Sequence, residues 1–228
     1  MTPDDDKAID YFGKDNPLIR LKSKQSIKAR RAMFDVFMDK MKATEDSKVI
    51  DIGVTPDRTL ADSNAFEQFY PWKGRVTATS FEDASFLEDQ YPGMRFIQTD
   101  GKALPFEDKE FDIAYSSAVL EHVGSAADQR EFLLEMMRIT KRFFLAVPNR
   151  WFPLELHTFI PLTHWLPKPM HRRVLRKLGK DFWAKEENLN LVGAGELLSL
   201  FPRGSDVRLH KHRLLGMPSN LVAYGTSP

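Results

Sequence analysis

The 228-residue chain contains no cysteine, and it has no long apolar run. Without cysteine, disulfides, thiolate zinc sites, iron–sulfur clusters and a cysteine nucleophile are all excluded. The longest uncharged aromatic-rich stretch, residues 156–167, contains two prolines and falls short of the about 20 apolar residues that span a bilayer. The first thirty residues carry aspartate at positions 4–6 and no apolar core, so no secretory signal is predicted. We therefore expect a cytoplasmic protein, either free or peripheral at the inner face of the membrane.

An excess of charge of one sign is also missing. The 33 lysines and arginines nearly balance the 32 acidic residues, for a net charge of +1. Coating a polyanion needs many uncompensated cations, so no nucleic-acid partner is predicted. The apolar share of 42% and the charged share of 29% are ordinary for a globular domain and exclude a disordered chain.

Strand and helix patterns alternate along the middle of the chain. An amphipathic helix at 24–43 precedes short β-branched or aromatic runs at 48–53, 75–80, 95–98, 111–116 and 143–147, with helical patterns between them at 56–69, 83–90 and 127–140. A helix around 195–201 and two strands at 206–212 and 221–226, with a turn at 216–219, close the chain. This order predicts an α/β fold: a doubly wound, mostly parallel seven-stranded sheet with an antiparallel last strand.

Composition divides the chain further. Residues 1–44 are predicted to form an N-terminal arm and the amphipathic helix, and residues 45–228 the domain itself. Within it, residues 150–190 are rich in Trp, Phe, Pro and His, which indicates an insertion after the fifth strand that would act as a lid.

Ligands of such sheets bind beyond the carboxyl ends of the strands. Neither G-x-G-x-x-G nor G-x-x-x-x-G-K-[ST] occurs in the chain, so a dinucleotide cradle and a P-loop are excluded. Gly53 follows the first strand, and the helix predicted next, with Thr55 as its N-cap and Pro56 in its first turn, would present N–H groups to a small anion. Asp57 would oppose that anion.

The strongest signal lies between Asp100 and His122. It reads Asp-Gly-x-x-Leu-Pro-Phe-x-Asp-x-x-Phe-Asp-Ile from residue 100, and continues through Ser116 to Glu121-His122. This stretch resembles the one that joins the third and fourth strands in class I S-adenosylmethionine-dependent methyltransferases of the methyltransferase domain 11-like group. The resemblance covers about residues 45–150 and implies S-adenosylmethionine as cofactor and methyl transfer (EC 2.1.1) as activity.

By position, the resemblance implies a set of cofactor-binding residues. Asp51 and Gly53 would lie against the methionine part, and Asp100 would accept from the adenine amine beside the backbone N–H of Gly101. Ser80 stands where the family has an acidic ribose ligand, and Glu82 is the substitute candidate. Ser116 and Ser117 would floor the pocket.

The segment after the fifth strand carries the candidate catalytic groups. His157 is the predicted general base, with Glu155 orienting it or sharing the role, and His164 comes next. The alternative is that His157 and His164 only pin a proline-stiffened lid. A metal site at His157, His164 and His171 is not predicted, because prolines interrupt the helix that their seven-residue spacing would need.

The same segment predicts the acceptor and its surroundings. Trp151, Phe152, Phe159 and Trp165 precede six cations between residues 168 and 180, which suits a water–lipid boundary or an anionic lipid-linked substrate. The alternative is a lid whose aromatic rings pack on the sheet. The function predicted is methylation of a small or lipid-linked acceptor, such as a carbohydrate hydroxyl in surface-glycan synthesis. The rival is a non-catalytic binding or interaction module on the same fold.

Overall fold

The computed structural model describes residues 17–60 and 62–228, with side chains from residue 26 onward. Its strands are β1 (Val49–Ile52), β2 (Val76–Ser80), β3 (Arg95–Gln98), β4 (Phe111–Ser117), β5 (Thr140–Pro148), β6 (Asp206–Leu214) and β7 (Met217–Thr226). Its α-helices are α1 (Pro17–Met41), α2 (Ala65–Phe69), α3 (Phe86–Gln90), α4 (Ala126–Ile139), α5 (Lys168–Lys177) and α6 (Ala194–Leu200).

The strands form one seven-stranded sheet in the order β3-β2-β1-β4-β5-β7-β6. The first five pair in parallel, and β7 runs antiparallel between β5 and β6. The predicted fold class is confirmed. The order reverses between β1 and β4, so the carboxyl ends of these two strands mark the edge where such sheets bind ligands.

Each face of the sheet carries its own apolar layer, because side chains alternate along a strand. Ile50 and Ile52 of β1 point to the layer that includes Phe132 and Met136 of α4. Val49 points to the opposite layer, which includes Phe34 and Phe37 of α1. Helix α1 therefore packs on the sheet of residues 45–228, although the division of the chain at residue 44 stays a prediction.

The prediction of a helix at residues 56–69 is wrong over most of that range. Of the described residues in that range, only Ala65–Phe69 is helical, and the loop before it is held by side chains that bond the backbone. The Asp57 carboxylate accepts from the backbone N–H groups of Thr59 and Leu60 and from the Ser63 hydroxyl, while the Asn64 amide bonds both backbone groups of Thr55. Such bonds offer the backbone an alternative to helix. Within the described part of this loop, no helix begins next to Gly53. The anion site predicted at Thr55–Pro56 therefore lacks the helix N-terminus on which it depended.

Other differences are smaller. Helix α1 begins at Pro17, inside the segment expected to be an irregular arm, and the rest of that arm lies outside the described residues. The turn expected at 216–219 is a two-residue turn at Leu215 and Gly216, whose φ values of 51° and 81° are those of a tight hairpin loop. The predicted turn lies too far along the chain because proline favours turns, whereas Pro218 here belongs to strand β7.

The segment 150–190 connects β5 to α6 and contains the α-helix α5 and a 3₁₀ turn at Thr163–Trp165; its role as an insertion stays a prediction. It has its own small apolar cluster, in which Leu175 and Trp183 are buried. Phe152 is buried as well, whereas Trp151, Phe159 and Trp165 are exposed. Within the described residues, no helix combines the length and the apolar character needed to cross a bilayer.

Candidate functional site

The ends of β2 and β3 form one corner of the sheet. Ser80 ends β2, and its carbonyl accepts from the backbone N–H of Thr99, just past β3. The Gln98 amide donates to the carbonyl of Phe81. Phe81 leaves 78% of its surface exposed, and Asp100 is exposed beside the same strand ends. An exposed aromatic residue and an exposed carboxylate thus follow the ends of two neighbouring parallel strands.

Two of the predicted ribose ligands belong to the same corner. The Ser80 hydroxyl accepts from the backbone N–H of Glu82 at 3.3 Å, which fixes the turn that leaves β2. Both residues are partly exposed. Asp100 closes a similar turn, because one of its oxygens accepts from the backbone N–H of Lys102 at 3.0 Å. The second oxygen of Asp100 is the one available to an outside donor.

The two predicted site glycines are required by close packing. A Cβ on Gly53, whose φ is 102°, would lie 2.2 Å from Cγ2 of Val119. A Cβ on Gly101 would lie 2.8 Å from the ring of Phe132. Gly53 lets the chain leave β1 under the loop that follows β4, and Gly101 lets the end of β3 approach α4. Both glycines therefore shape the edge of the sheet.

Asp51 is buried, on the face of β1 opposite to Ile50 and Ile52. Burial and the neighbouring carboxylate of Glu67 raise the pKa of Asp51 well above its usual value, whereas Arg30 lowers it. Burial likewise raises the pKa of Glu67. Asp51 and Glu67 therefore form a buried acidic pair beside Arg30, in which burial favours the protonated form of the carboxyl groups.

The two serines at the end of β4 differ in their surroundings. Ser116 is fully buried and donates its hydroxyl to the carbonyl of Ile52 at 2.8 Å. It ties the end of β4 to the end of β1. Ser117 is partly exposed and is the last residue of the strand. The structure therefore gives Ser116 a bracing contact, while Ser117 faces the edge.

The predicted pair of Glu155 and His157 is in direct contact. Nδ1 of His157 lies 2.7 Å from Oε1 of Glu155, and the same carboxylate accepts from the backbone N–H groups of His157 and Thr158 and from the Thr158 hydroxyl. Burial alone would raise the pKa of Glu155, but these hydrogen bonds lower it to about 2. An ionised Glu155 holds the proton of His157 on Nδ1 and leaves Nε2 with a lone pair.

A further acidic residue and a further histidine lie beside this pair. Nε2 of His157 is 4.0 Å from Oε1 of Glu121, and Nε2 of His122 is 3.9 Å from the same oxygen. Glu121 is 1% exposed, and burial raises its pKa to about 7 although His157 lowers it. Trp183 packs against both imidazole rings. Glu121 and His122 belong to a short turn directly after β4, so this cluster lies at the carboxyl edge of the sheet.

His164 lies apart from this cluster. It is 2% exposed, its Nε2 is 2.7 Å from the carbonyl of Phe152, and its own carbonyl accepts from Arg150. Its ring lies 6.3 Å from that of His171. These contacts hold His164 within the segment 150–190, and its role in catalysis or in a lid stays a prediction.

Sequence reasoning misses Phe81, Glu121 and His122. Phe81 directly follows β2, a position that meets the ligand edge in any sheet of this type. The sequence places Glu121 and His122 in a structural turn, and the signal that could have found them is their position just after β4. His157 follows His122 by 35 residues in the chain. It lies near Glu121 and His122 because of the path of the segment after β5.

Known proteins agree with this architecture. Residues 58–143 match a family model described as a methyltransferase domain. Among solved structures, PH0226 protein from Pyrococcus horikoshii is similar over 95% of this chain and 94% of its own, with a TM-score of 0.58 and 15% identity. Magnesium protoporphyrin IX methyltransferase from Synechocystis, solved with bound SAH, is similar over 94% and 90%, with a TM-score of 0.55 and 14% identity.

A chain from the complex of the Haloferax volcanii Trm112 methyltransferase activator with a methyltransferase is similar over 92% of this chain and 97% of its own, with a TM-score of 0.56 and 17% identity. No curated protein matches the chain in sequence. The match over residues 58–143, the seven-stranded topology and these solved structures show that the chain has the class I methyltransferase fold.

Proposed function

We propose that the chain is an S-adenosylmethionine-dependent methyltransferase. The observation that carries the proposal is the pair of neighbouring parallel strand ends, β2 and β3, which are followed by the exposed Phe81 and the exposed Asp100. Adenine offers a flat face for an aromatic ring and an exocyclic amine for a carboxylate. These residues fit an adenosyl group.

The remaining residues fit the rest of the cofactor. Ser80 and Glu82 would meet the ribose hydroxyls, with Gly101 contributing its backbone N–H beside Asp100. Asp51 would lie against the methionine part of the cofactor, which carries a sulfonium and an ammonium group. Gly53 and Ser117 would line the site between the adenosyl end and the methionine end of the cofactor. When bound, S-adenosylmethionine supplies a methyl group on an activated leaving group.

Glu155 and His157 are proposed as the groups that handle the acceptor. The hydrogen bond between them fixes the tautomer of His157, so that its Nε2 can accept a proton from a hydroxyl. A positioned base of this kind contributes about 10²–10⁴-fold to a rate. Holding the acceptor in line with the methyl group contributes further, up to about 7–11 kcal/mol of the barrier.

We propose a small or lipid-linked acceptor, such as a carbohydrate hydroxyl, reached at the inner face of a membrane. More than half of the exposed large apolar side chains among the described residues lie between Trp151 and Phe182. The rings of Trp151 and Trp165 lie 6.5 Å apart, and the adjacent helix α5 is strongly cationic. Exposed tryptophans next to cations suit an anionic lipid surface.

Calorimetric titration with S-adenosylhomocysteine tests the cofactor. We expect Asp100→Asn to weaken binding, because an amide presents only one acceptor and adds a donor, while Asp89→Asn on the exposed face of α3 leaves it unchanged. Equal affinity in both variants would contradict the assignment of Asp100. Binding without transfer of a labelled methyl group to any lipid, glycan or small-molecule fraction would instead favour a non-catalytic binding module.

Co-sedimentation with vesicles of anionic lipid tests the membrane surface. We expect the double variant Trp151→Ser/Trp165→Ser to lose binding, and Leu134→Ser, which changes an exposed leucine of α4, to retain it. Binding that survives the loss of both tryptophans would leave the segment as a lid.

A further inference from the structure

A second chemical feature of the site is the cluster of Glu121, His122 and His157. Each residue offers one ligand atom, and these atoms lie within 4.8 Å of one another. A divalent transition metal binds imidazole nitrogen and carboxylate oxygen at about 2.0–2.2 Å, so small side-chain movements would bring all three onto one ion. The cluster is distinct from the spacing of His157, His164 and His171, for which no metal site is predicted from sequence.

The burial of Glu121 without hydrogen-bond partners distinguishes this cluster from an ordinary packed turn. Its side chain is 1% exposed, and neither carboxylate oxygen has a hydrogen-bond partner among the described residues. Burying a carboxylate without partners is costly unless a cation or a proton compensates it. Nε2 of His122 lies 3.9 Å and Nε2 of His157 lies 4.0 Å from Oε1 of Glu121, which is farther than two ligands about 2.0–2.2 Å from one tetrahedral ion, so metal binding would draw the side chains together.

The contacts behind the two histidines are those of metal ligands. Nδ1 of His157 lies 2.7 Å from the Glu155 carboxylate, and Nδ1 of His122 lies 2.7 Å from the carbonyl of Asn188. In both rings Nδ1 therefore donates away from Glu121, and Nε2 lies on the side of the Glu121 carboxylate. Metal-binding histidines almost always donate their other ring N–H to a carboxylate or a carbonyl in this way.

We propose that Glu121, His122 and His157 bind a divalent transition metal of the zinc type. Two imidazoles and one carboxylate suit zinc and its neighbours, whereas magnesium and calcium prefer oxygen ligands alone. Three protein ligands leave a coordination position open. The His122 side chain is 26% exposed and that of His157 11% exposed, and Trp183 packs against both imidazole rings.

The use of this ion in catalysis rests on the proposed function. An acceptor hydroxyl in the open position would have a lowered pKa, so its proton leaves to water, the bond from oxygen to the methyl carbon forms, and the bond from sulfur to that carbon breaks. In this state His157 holds the ion instead of accepting the proton.

The metal site itself is tested by binding, using full-length protein freed of its affinity tag and treated with chelator. We expect one equivalent of Zn²⁺ by calorimetry and one equivalent of Co²⁺ by visible absorption, with no thiolate band because the chain lacks cysteine. Glu121→Gln, which preserves shape and removes the charge, should abolish both signals. Glu155→Gln should weaken binding by about 10- to 100-fold.

His210→Gln, on the edge strand β6, is the matched control and should bind as the unmodified chain does. The proposal fails if the unmodified chain takes up no single equivalent of metal, which needs no variant to observe. It also fails if Glu121→Gln binds zinc as tightly as the unmodified chain. Titration with S-adenosylhomocysteine on the same samples reports separately on the cofactor, so either proposal can fail without the other.

Discussion

Gly53 offers the sharpest test of how the edge of the sheet is built. Its φ is 102°, and a Cβ added there would lie 2.2 Å from Cγ2 of Val119. Gly53→Ala therefore imposes two costs, an unfavourable backbone conformation and a steric overlap. Shortening Val119 should relieve the steric overlap with its methyl groups, but it should leave the unfavourable backbone conformation unchanged.

The two costs have different sizes and different remedies. A non-glycine residue in such a backbone region costs about 1–3 kcal/mol, and overpacking costs about 1–3 kcal/mol. Val119→Ala alone removes two methyl groups at about 0.8 kcal/mol each. In the double variant the overlap is relieved, so its loss of stability should be smaller than the sum of the two single losses by about 1–3 kcal/mol.

Urea unfolding of the four proteins, followed by circular dichroism at pH 7, measures this coupling. Single domains are stable by about 5–15 kcal/mol, so the variants should remain folded enough to analyse. Additivity within about 0.5 kcal/mol, as found for sites without contact, would refute the packing described for the end of β1.

Three further predictions concern other parts of the chain. Ser125→Ala removes the capping box at the start of α4, in which the Ser125 hydroxyl accepts from the backbone N–H of Asp128 at 3.2 Å; it should cost about 0.5–2 kcal/mol in urea unfolding, and an unchanged midpoint would contradict the cap. Phe81→Ala should weaken binding of S-adenosylhomocysteine by about 5- to 150-fold, the equivalent of the about 1–3 kcal/mol typical of base–aromatic stacking, without changing stability; equal affinity would remove Phe81 from the site. Burial lowers the pKa of His171 to about 4, so between about pH 6.5 and 4 the unfolded chain binds the extra proton and stability falls as the pH falls. His171→Gln should therefore lose less stability than the unmodified chain between pH 7 and 5, and parallel losses would show that His171 does not carry the effect.

The fold was predictable from sequence because its signals are local. Short β-branched or aromatic runs mark the parallel strands, and β3 was predicted with its observed bounds, Arg95–Gln98. The helix at 56–69 failed because Pro56 and the apolar residues after it satisfy the helical pattern, while the competing bonds of Asp57 depend on where its side chain points. The prediction of the hairpin turn was displaced because Pro218 lies in β7. The strand pairing near it has a shift of register between His212 and Arg213.

The candidate site was predictable only in part. Positions at strand ends, such as Asp100 and Gly53, follow from the topology. Glu155 was predicted to orient His157 or share its role because both follow the fifth strand; the structure places the two side chains in contact, and their catalytic role stays a prediction. The approach of His157 to Glu121 and His122 depends on an irregular insertion that covers the edge of the sheet, and no periodicity in the sequence encodes that path.

The outermost strand, β6, has a consequence for how the protein behaves in solution. A sheet edge exposes unpaired backbone groups that can recruit a strand from another molecule. On β6 the exposed side chains include Arg208, Lys211 and Arg213, and the register shift at Arg213 distorts the ladder. Like charges on two such edges repel each other, so β6 opposes edge-to-edge aggregation even at high protein concentration. Exchanging these cations for threonine would lower solubility before it lowered stability.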